Sequence, residues 1–444
     1  MRSIYIDNIR GFTDTYILIK DVNFLVGENS TGKTTILEII KLLSDPTFWF
    51  KQNFDDIEGL RFNGYKSIVS VNSQDKSYFR IGMIEYQDGI KYKQSKVDSA
   101  FLLTFSNQNE IPVISQYCYI SDEYEVKVRR HENDILFKVN SLGELDNSNI
   151  DIYQIFKDWT NHEIITEEYE KTIIPSEFNK LSLPYITHLI IDTTTKDVKS
   201  NPEVKLEWFY SIDFPGFAKN GLVWFAPIRS IPKRTYDAYK YNFSPEGEHI
   251  PYLLRQILSK KNDLLVSKLL NLLNSFGKDS GLFDSIGIKE FGKDLTSPFE
   301  VNVIINGNSF AICEVGYGVS QALPIIIEIL AEKKGTWYVI QQPEIHLHPK
   351  AQAALGDLFY LMAVEERKRF LIETHSDYII DRFRLCYQKY DQKDLDSQVL
   401  YFEKTPTGNK VYPIEIEKTG QYSEDQPSTF REFFIKEEMA LLGV

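Results

Sequence analysis

The chain has 444 residues, 43% hydrophobic and 25% charged, enough for two or three domains whose cores need no disulfide or metal staple. Its 63 acidic residues against 50 Lys and Arg leave a net charge of −13, so contact with a polyanion requires a local basic face or a partner. No apolar run approaches the ~18 residues of a membrane helix, no signal-peptide core follows Met1, and Cys118, Cys313 and Cys386 have no metal-ligand spacing; the expectation is a cytoplasmic protein without membrane contact.

Short apolar or alternating runs predict strands at Ser3–Asn8, Thr15–Lys20 and Asn23–Val26. Helical spacing follows over Lys33–Leu43 and stops at Ser44-Asp45-Pro46, where proline disfavours the helical region for its predecessor. From Thr47 to Phe225 the chain is rich in Tyr, Phe, Ile and Thr. It reads as a β-rich insertion with strands such as Tyr78–Ile84, Glu123–Val128 and Val204–Ile212, and a helix at Ile152–Trp159. Leucines over Ile250–Phe276 predict one helix, or a helical hairpin turned near Lys261-Asn262-Asp263. Phe299–Ile305 and Phe310–Ile312 read as a hairpin around Asn306-Gly307-Asn308. Helix Gln321–Lys334, strand Thr336–Gln341, helix Pro349–Glu366, strand Arg369–Glu373 and helix Asp377–Leu385 then alternate, which implies a parallel sheet. A strand pair, Val399–Glu403 and Lys410–Ile416, and a closing helix, Pro427–Leu442, complete the reading. The segments expected are 1–46, 47–225, 226–298 and 299–444.

Gly27-Glu28-Asn29-Ser30-Thr31-Gly32-Lys33-Thr34 fits G-x-x-x-x-G-K-[ST] in full, between a predicted strand and a predicted helix. The glycines let backbone N–H groups turn toward phosphate oxygens, and the helix N-terminus adds its dipole. Lys33 is placed to reach the β- and γ-phosphates, Thr34 to offer its hydroxyl to Mg2+, and Thr35 to lie near the α-phosphate. Three hundred residues on, Gly316-Tyr317-Gly318-Val319-Ser320-Gln321 opens a helix and forms a second anion-binding N-terminus. Its third glycine position is Gln321 and no Rossmann acid follows, which argues against a dinucleotide fingerprint. His375 ends an apolar strand, where an imidazole is able to hydrogen-bond a phosphate oxygen. His346 and His348 are two apart, but in this context a metal pair is rejected.

Together, Asn8-Ile9-Arg10-Gly11-Phe12, the phosphate loop, Gly316–Gln321, Gln342-Pro343-Glu344-Ile345-His346-Leu347-His348-Pro349 and Glu373-Thr374-His375-Ser376-Asp377 resemble the ABC-type ATPases of the OLD/RecF/SMC-like group. Ala226-Pro227-Ile228-Arg229-Ser230-Ile231-Pro232 and Pro245-Glu246-Gly247-Glu248 are similar to the AAA15/AAA21 subset that accompanies bacterial anti-phage systems. The resemblance implies an α/β ABC-type P-loop head with a mixed sheet, ATP and Mg2+ as cofactors, and ATP sandwiched between copies in a homodimer or higher homo-oligomer. One copy's phosphate loop (Gly27–Thr35) would face the partner's Gly316, Gly318, Ser320 and Gln321. His375 corresponds to the switch histidine, Gln342 and Glu344 to the catalytic loop, and Arg10 and Phe12 to residues beside the adenine.

These ATPases normally end the Walker B strand with an acid that holds the Mg2+ water shell, and this chain has Gln341. A neutral amide neither orients Mg2+ nor accepts a proton as a carboxylate does. Either hydrolysis is weak, or Gln341 replaces a natural Glu and traps the ATP-bound state; the intact remainder of the site favours the second. The tail after His375 is too short for a Toprim nuclease. The resemblance therefore implies an ATPase that senses or scaffolds, as in PARIS-type two-component defence, holding a separate effector such as a Toprim nuclease until a phage trigger protein releases it. Alternatives are a DNA-repair ATPase like RecF and a non-hydrolysing nucleotide-dependent scaffold; direct nucleic-acid binding stays open.

Overall fold

The structure is a computed structural model that describes residues 2–86 apart from 53, 55, 56 and 58, residues 97–141 apart from 122, 123, 132 and 133, and residues 152–161, 170–174 and 221–237. Further on it describes 242–260, 264–294, 296–390, 394–430, 432 and 439. The expected strand Val204–Ile212, the turn at Lys261-Asn262-Asp263 and most of the closing helix Pro427–Leu442 lie outside the described residues.

Strands β1 (Arg2–Asp7), β2 (Thr15–Ile19) and β3 (Val22–Gly27) precede helices α1 (Lys33–Ser44), α2 (Pro46–Lys51) and α3 (Tyr65–Ile68). Then come β4 (Tyr78–Tyr86), β5 (Val97–Gln108), β6 (Ile111–Ser121), β7 (Tyr124–His131), β8 (Asp134–Ser141), α4 (Ile152–Asn161), β9 (Glu170–Ile174) and β10 (Leu222–Phe225). Helices α5 (Ile250–Ser259) and α6 (Leu264–Ser280) are followed by β11 (Ser285–Glu290), β12 (Phe299–Ile305) and β13 (Asn308–Ala311). The chain next alternates through α7 (Tyr317–Ala331), β14 (Trp337–Gln341), α8 (Pro349–Glu366), β15 (Arg369–Glu373) and α9 (Asp377–Lys389), then forms β16 (Ser397–Thr405) and β17 (Gly408–Ile416).

Two compact units result, neither continuous in sequence. One comprises Met1–Lys20, Glu28–Gly221 and Phe402–Val411; the other comprises Asp21–Gly27, Leu222–Tyr401 and Tyr412–Val444. Strands β1 and β2 thus fall in the first unit and β3 in the second. Arg2–Asp7 of β1 pairs antiparallel with Glu85–Arg80 of β4 as well as with β2, so the first two strands extend the β-rich sheet. That sheet has the order β2-β1-β4-β5-β6-β7-β8-β9. Aromatic packing holds its face: Phe79 and Phe105 stack at 4.7 Å, and Phe54 meets the Phe105 ring edge-on at 5.3 Å.

The segments 226–298 and 299–444 fall largely in the second unit, whose sheet has the order β10-β14-β15-β3-β16-β17. From β10 to β3 the pairing is parallel. Every residue of β14 is buried, as its unbroken Trp-Tyr-Val-Ile run predicts for a parallel strand covered on both faces. The same core takes in residues of β3, β15, α7, α8 and α9. Helices α8 and α9 approach so closely that a Cβ on Gly356 would lie 2.4 Å from the Ile379 carbonyl. The leucine-rich region is two helices, α5 and α6, rather than one. Helix α7 starts at Tyr317, four residues before the expected Gln321, since Gly318 is tolerated in a first turn. Among the described residues no helix is long and apolar enough to cross a membrane.

Candidate nucleotide site

The phosphate loop is wound by its own residues. Gly27, Ser30 and Gly32 all have positive φ, at 147°, 63° and 95°. The Glu28 carbonyl accepts from both Thr31 Oγ1 at 2.8 Å and Lys33 Nζ at 2.7 Å, folding the ammonium over the loop. Thr31, Lys33 and Thr35 are buried, whereas Glu28, Asn29 and Ser30 form an exposed rim. Helix α1 begins at Lys33 with no side-chain cap and no acid in its first turn. Such a terminus presents positive dipole to an anion without a competing carboxylate.

Phe12 packs inside the protein. Its ring is fully buried, meets Phe402 edge-on at 6.4 Å and lies where a Cβ on Gly32 would be 2.4 Å away. Phe12 thus packs beneath the loop at Gly32. Arg10 is committed elsewhere too. Its Nη1 donates to Glu38 Oε2 at 2.9 Å, Nε donates to the Ser67 carbonyl at 3.0 Å, and the guanidinium lies 4.7 Å above the Phe62 ring. Burial raises the Glu38 carboxyl above its ordinary value, and Arg10 opposes that rise.

In the second unit, the C-terminal ends of β14 and β15 carry a polar row. Gln341 pairs with Glu373 in register, and Gln341 Nε2 donates to Glu373 Oε2 at 3.0 Å; they are 8% and 7% exposed. Gln342, at φ 45°, turns the chain and donates its N–H to the Glu373 carbonyl at 2.7 Å. Glu344 uses both carboxylate oxygens on the other strand end: Oε2 accepts from Thr374 Oγ1 at 2.8 Å and Oε1 from the His375 N–H at 2.7 Å. The His375 imidazole is exposed. His348 caps α8 by accepting from the Lys350 N–H at 3.2 Å, which gives it a structural task.

Two residues of this row carried no role in the sequence. Glu373 is one; no signal short of strand register sets it opposite Gln341. Arg229 is the other, visible only as part of Ala226–Pro232. Its Nη2 donates to the Gln341 carbonyl at 3.2 Å, and it is 2% exposed, with Nε and Nη1 lacking a hydrogen-bond partner among the described residues. Burial lowers its pKa to about 10, against the pull of Glu344.

At the second glycine turn, α7 has Gly316 as its N-cap, without a side-chain cap or a first-turn acid. Tyr317 is 59% exposed and its ring lies 5.8 Å from that of His346. Gly318 runs close under the same loop, with a Cβ there 3.1 Å from the His346 carbonyl. Ser320 and Gln321 are buried, and Ser320 Oγ donates to the Tyr317 carbonyl at 2.9 Å. Gly316, Tyr317 and Gly318 form the more exposed edge of the turn.

Thr34, in the phosphate loop, carries a hydroxyl, a hard oxygen ligand of the kind Mg2+ takes. Among the described residues no three His, Cys, Asp or Glu side chains form a metal-binding group. A cation held mainly by water and phosphate needs no such cage.

A family profile for the AAA ATPase domain matches residues 1–380. The chain belongs to the AAA ATPase domain family. This AAA ATPase is 30% identical over 173 residues to an OLD nuclease of Thermus scotoductus. That match covers 36% of the chain and 31% of the nuclease, so it spans under a third of the relative's length. Among solved structures, an Smc head domain with an extended coiled coil bound to the C-terminal domain of ScpA, from Pyrococcus furiosus, aligns with TM-score 0.40 and 11% identity over 99% of this chain and 100% of that one. The SMC head domain of Thermotoga maritima aligns with TM-score 0.37 and 12% identity over 93% and 98%.

Proposed function

We propose that this AAA ATPase binds Mg2+–ATP on Gly27–Thr35 and hydrolyses it as an oligomer whose nucleotide is shared between copies. The observation that carries the reading is the uncapped start of α1, held open by Gly32 over Phe12 with Lys33 folded above it. Lys33 would neutralise β/γ-phosphate charge, and Thr34 would offer its hydroxyl to the cation. Mg2+ supplies charge neutralisation of the triphosphate when bound. His375, exposed on a backbone fixed by Glu344, is suited to report the terminal phosphate. The partner copy would close the site with its Gly316–Gly318 turn, opposite the phosphate loop.

The output of this cycle is the control of a separate effector, a nuclease by the family resemblance, in an anti-phage system. Calorimetry with ATP tests the core of the reading: Lys33→Ala abolishes binding, and an unchanged affinity overturns it. Mass photometry with and without ATP tests the sandwich, which predicts a larger particle with nucleotide.

One observation favours a second reading. Neither Gln341 nor Gln342 is able to take a proton from water. A non-hydrolysing scaffold would show ATP-dependent assembly without phosphate release.

A further inference from the structure

We infer that Asn409, beside the turn between β16 and β17, is a positioning residue of the phosphate loop. The inference rests on the ATP reading above and adds to that site a residue from a distant part of the chain. Thr405 closes β16 and Gly408 opens β17, so Pro406-Thr407 is a two-residue connection. The turn is seated on Gly11, whose carbonyl accepts from the Asn409 N–H at 2.7 Å. The Asn409 side chain follows the same backbone, with Nδ2 donating to the Arg10 carbonyl at 3.3 Å. Gly408, at φ 137°, permits the approach, since a Cβ there would stand 2.5 Å from the Gly11 carbonyl oxygen. Arg10, Gly11, Gly32 and Asn409 all belong to the same compact unit.

The amide that this turn delivers is the second neighbour of Gly32. A Cβ on Gly32 would be 2.4 Å from the Phe12 ring and 3.0 Å from Asn409 Nδ2. Phe402, on β16, meets the Phe12 ring edge-on, so the strand pair braces Gly32 twice: directly through Asn409 and indirectly through Phe12. Such bracing has a purpose at a glycine. Without a side chain Gly32 visits many conformations, and its neighbours must select the φ of 95° that it adopts. The selection matters because Gly32 directly precedes Lys33 and the uncapped start of α1. Backbone N–H groups that are aimed in advance bind an anion with less ordering to do on contact. Asn409→Ala removes the amide from beside Gly32 and returns to the loop a freedom that phosphate must then restrict. The loss therefore falls on phosphate binding and not on recognition of the base.

The test compares wild type, Asn409→Ala and Asn409→Asp with Thr407→Ala, a control in the same turn whose exposed hydroxyl lies 3.1 Å from Thr405 Oγ1. Calorimetry measures ATP and inorganic tripolyphosphate, a probe with phosphates and no base. Asn409→Ala is expected to weaken both by the same factor, at least about fivefold, as for loss of one hydrogen-bonding group. Asn409→Asp keeps the size, lacks the donor and adds a negative charge, so its loss is at least as large. Thr407→Ala stays within about twofold of wild type for both. ATP affinity within about twofold of wild type in both Asn409 variants overturns the inference and leaves ATP binding standing. A loss confined to ATP overturns it as well, because Asn409 would then act on the base. Equal losses in Asn409→Ala and Thr407→Ala overturn it in favour of the turn as a whole. Where tripolyphosphate binds too weakly to measure, the ATP loss against the Thr407→Ala control decides. Should Asn409→Ala not fold, Asn409→Asp is judged by the same criteria. A wild type that binds neither ATP nor tripolyphosphate sinks the ATP reading itself.

Discussion

Glu344 holds His375 by its main chain: the carboxylate accepts the His375 N–H at 2.7 Å while its other oxygen takes the Thr374 hydroxyl. The loop after β14 and the loop after β15 thereby move as one piece. Glu344→Gln keeps the volume but removes the charge from both bonds. The expected loss is about 1–3 kcal/mol of stability, read by denaturant unfolding, together with at least about tenfold weaker ATP turnover or assembly. An unchanged midpoint and unchanged nucleotide response would show that the two loops are independent.

Gly32 has no room for a side chain. At φ 95° and with the Phe12 ring 2.4 Å from any Cβ, Gly32→Ala is strained and overpacked together. It should cost at least about 2 kcal/mol and most of the ATP affinity. Phe12→Leu in the same background relieves the clash, so partial rescue of affinity is the expected signature. No rescue would mean that backbone strain alone decides.

Arg229 is a buried cation with two N–H groups left without hydrogen bonds among the described residues. Such a group is costly to the fold. Arg229→Met fills the volume and should melt no lower than wild type, yet lose at least about tenfold in ATP turnover or ATP-dependent assembly. A melting point several degrees lower with the nucleotide response intact would make the arginine purely structural.

The cysteines give a pH test. Cys386 is fully buried, and burial first, then its hydrogen bond to Asp357 and that carboxylate's charge, push its thiol up to about 12. Since the unfolded thiol ionises near 8.5, this group's contribution is fully present below about 8.5 and is lost as pH rises toward 12. Cys386→Ala should therefore flatten the decline of stability above pH 8.5. A thiol reagent at pH 8 should label the exposed Cys313 and spare Cys118 and Cys386 until the chain unfolds.

The phosphate loop was legible because its chemistry is local: glycines, lysine and threonine lie within eight residues, flanked by a strand and a helix. The alternation from α7 to α9 was legible too, as buried parallel strands write themselves as unbroken apolar runs. What escaped depends on register. Gln341 reads as a missing acid until β14 and β15 are set side by side, and then Glu373, 32 residues away, stands opposite. Likewise Phe12 and Gln321 carry the right residue types in the right motifs, but packing turns both inward. Strands β1 and β2 look like neighbours of β3 in sequence, while hydrogen bonds assign them to β4's sheet.

The placement of β3 beside β15 has a consequence for synthesis. Asn23 donates its side-chain amide to the carbonyl of Phe370, 347 residues later. The strand that launches the phosphate loop is synthesised 347 residues before the neighbour it bonds to. A chain stalled before β15 would lack the strand beside the phosphate-loop strand.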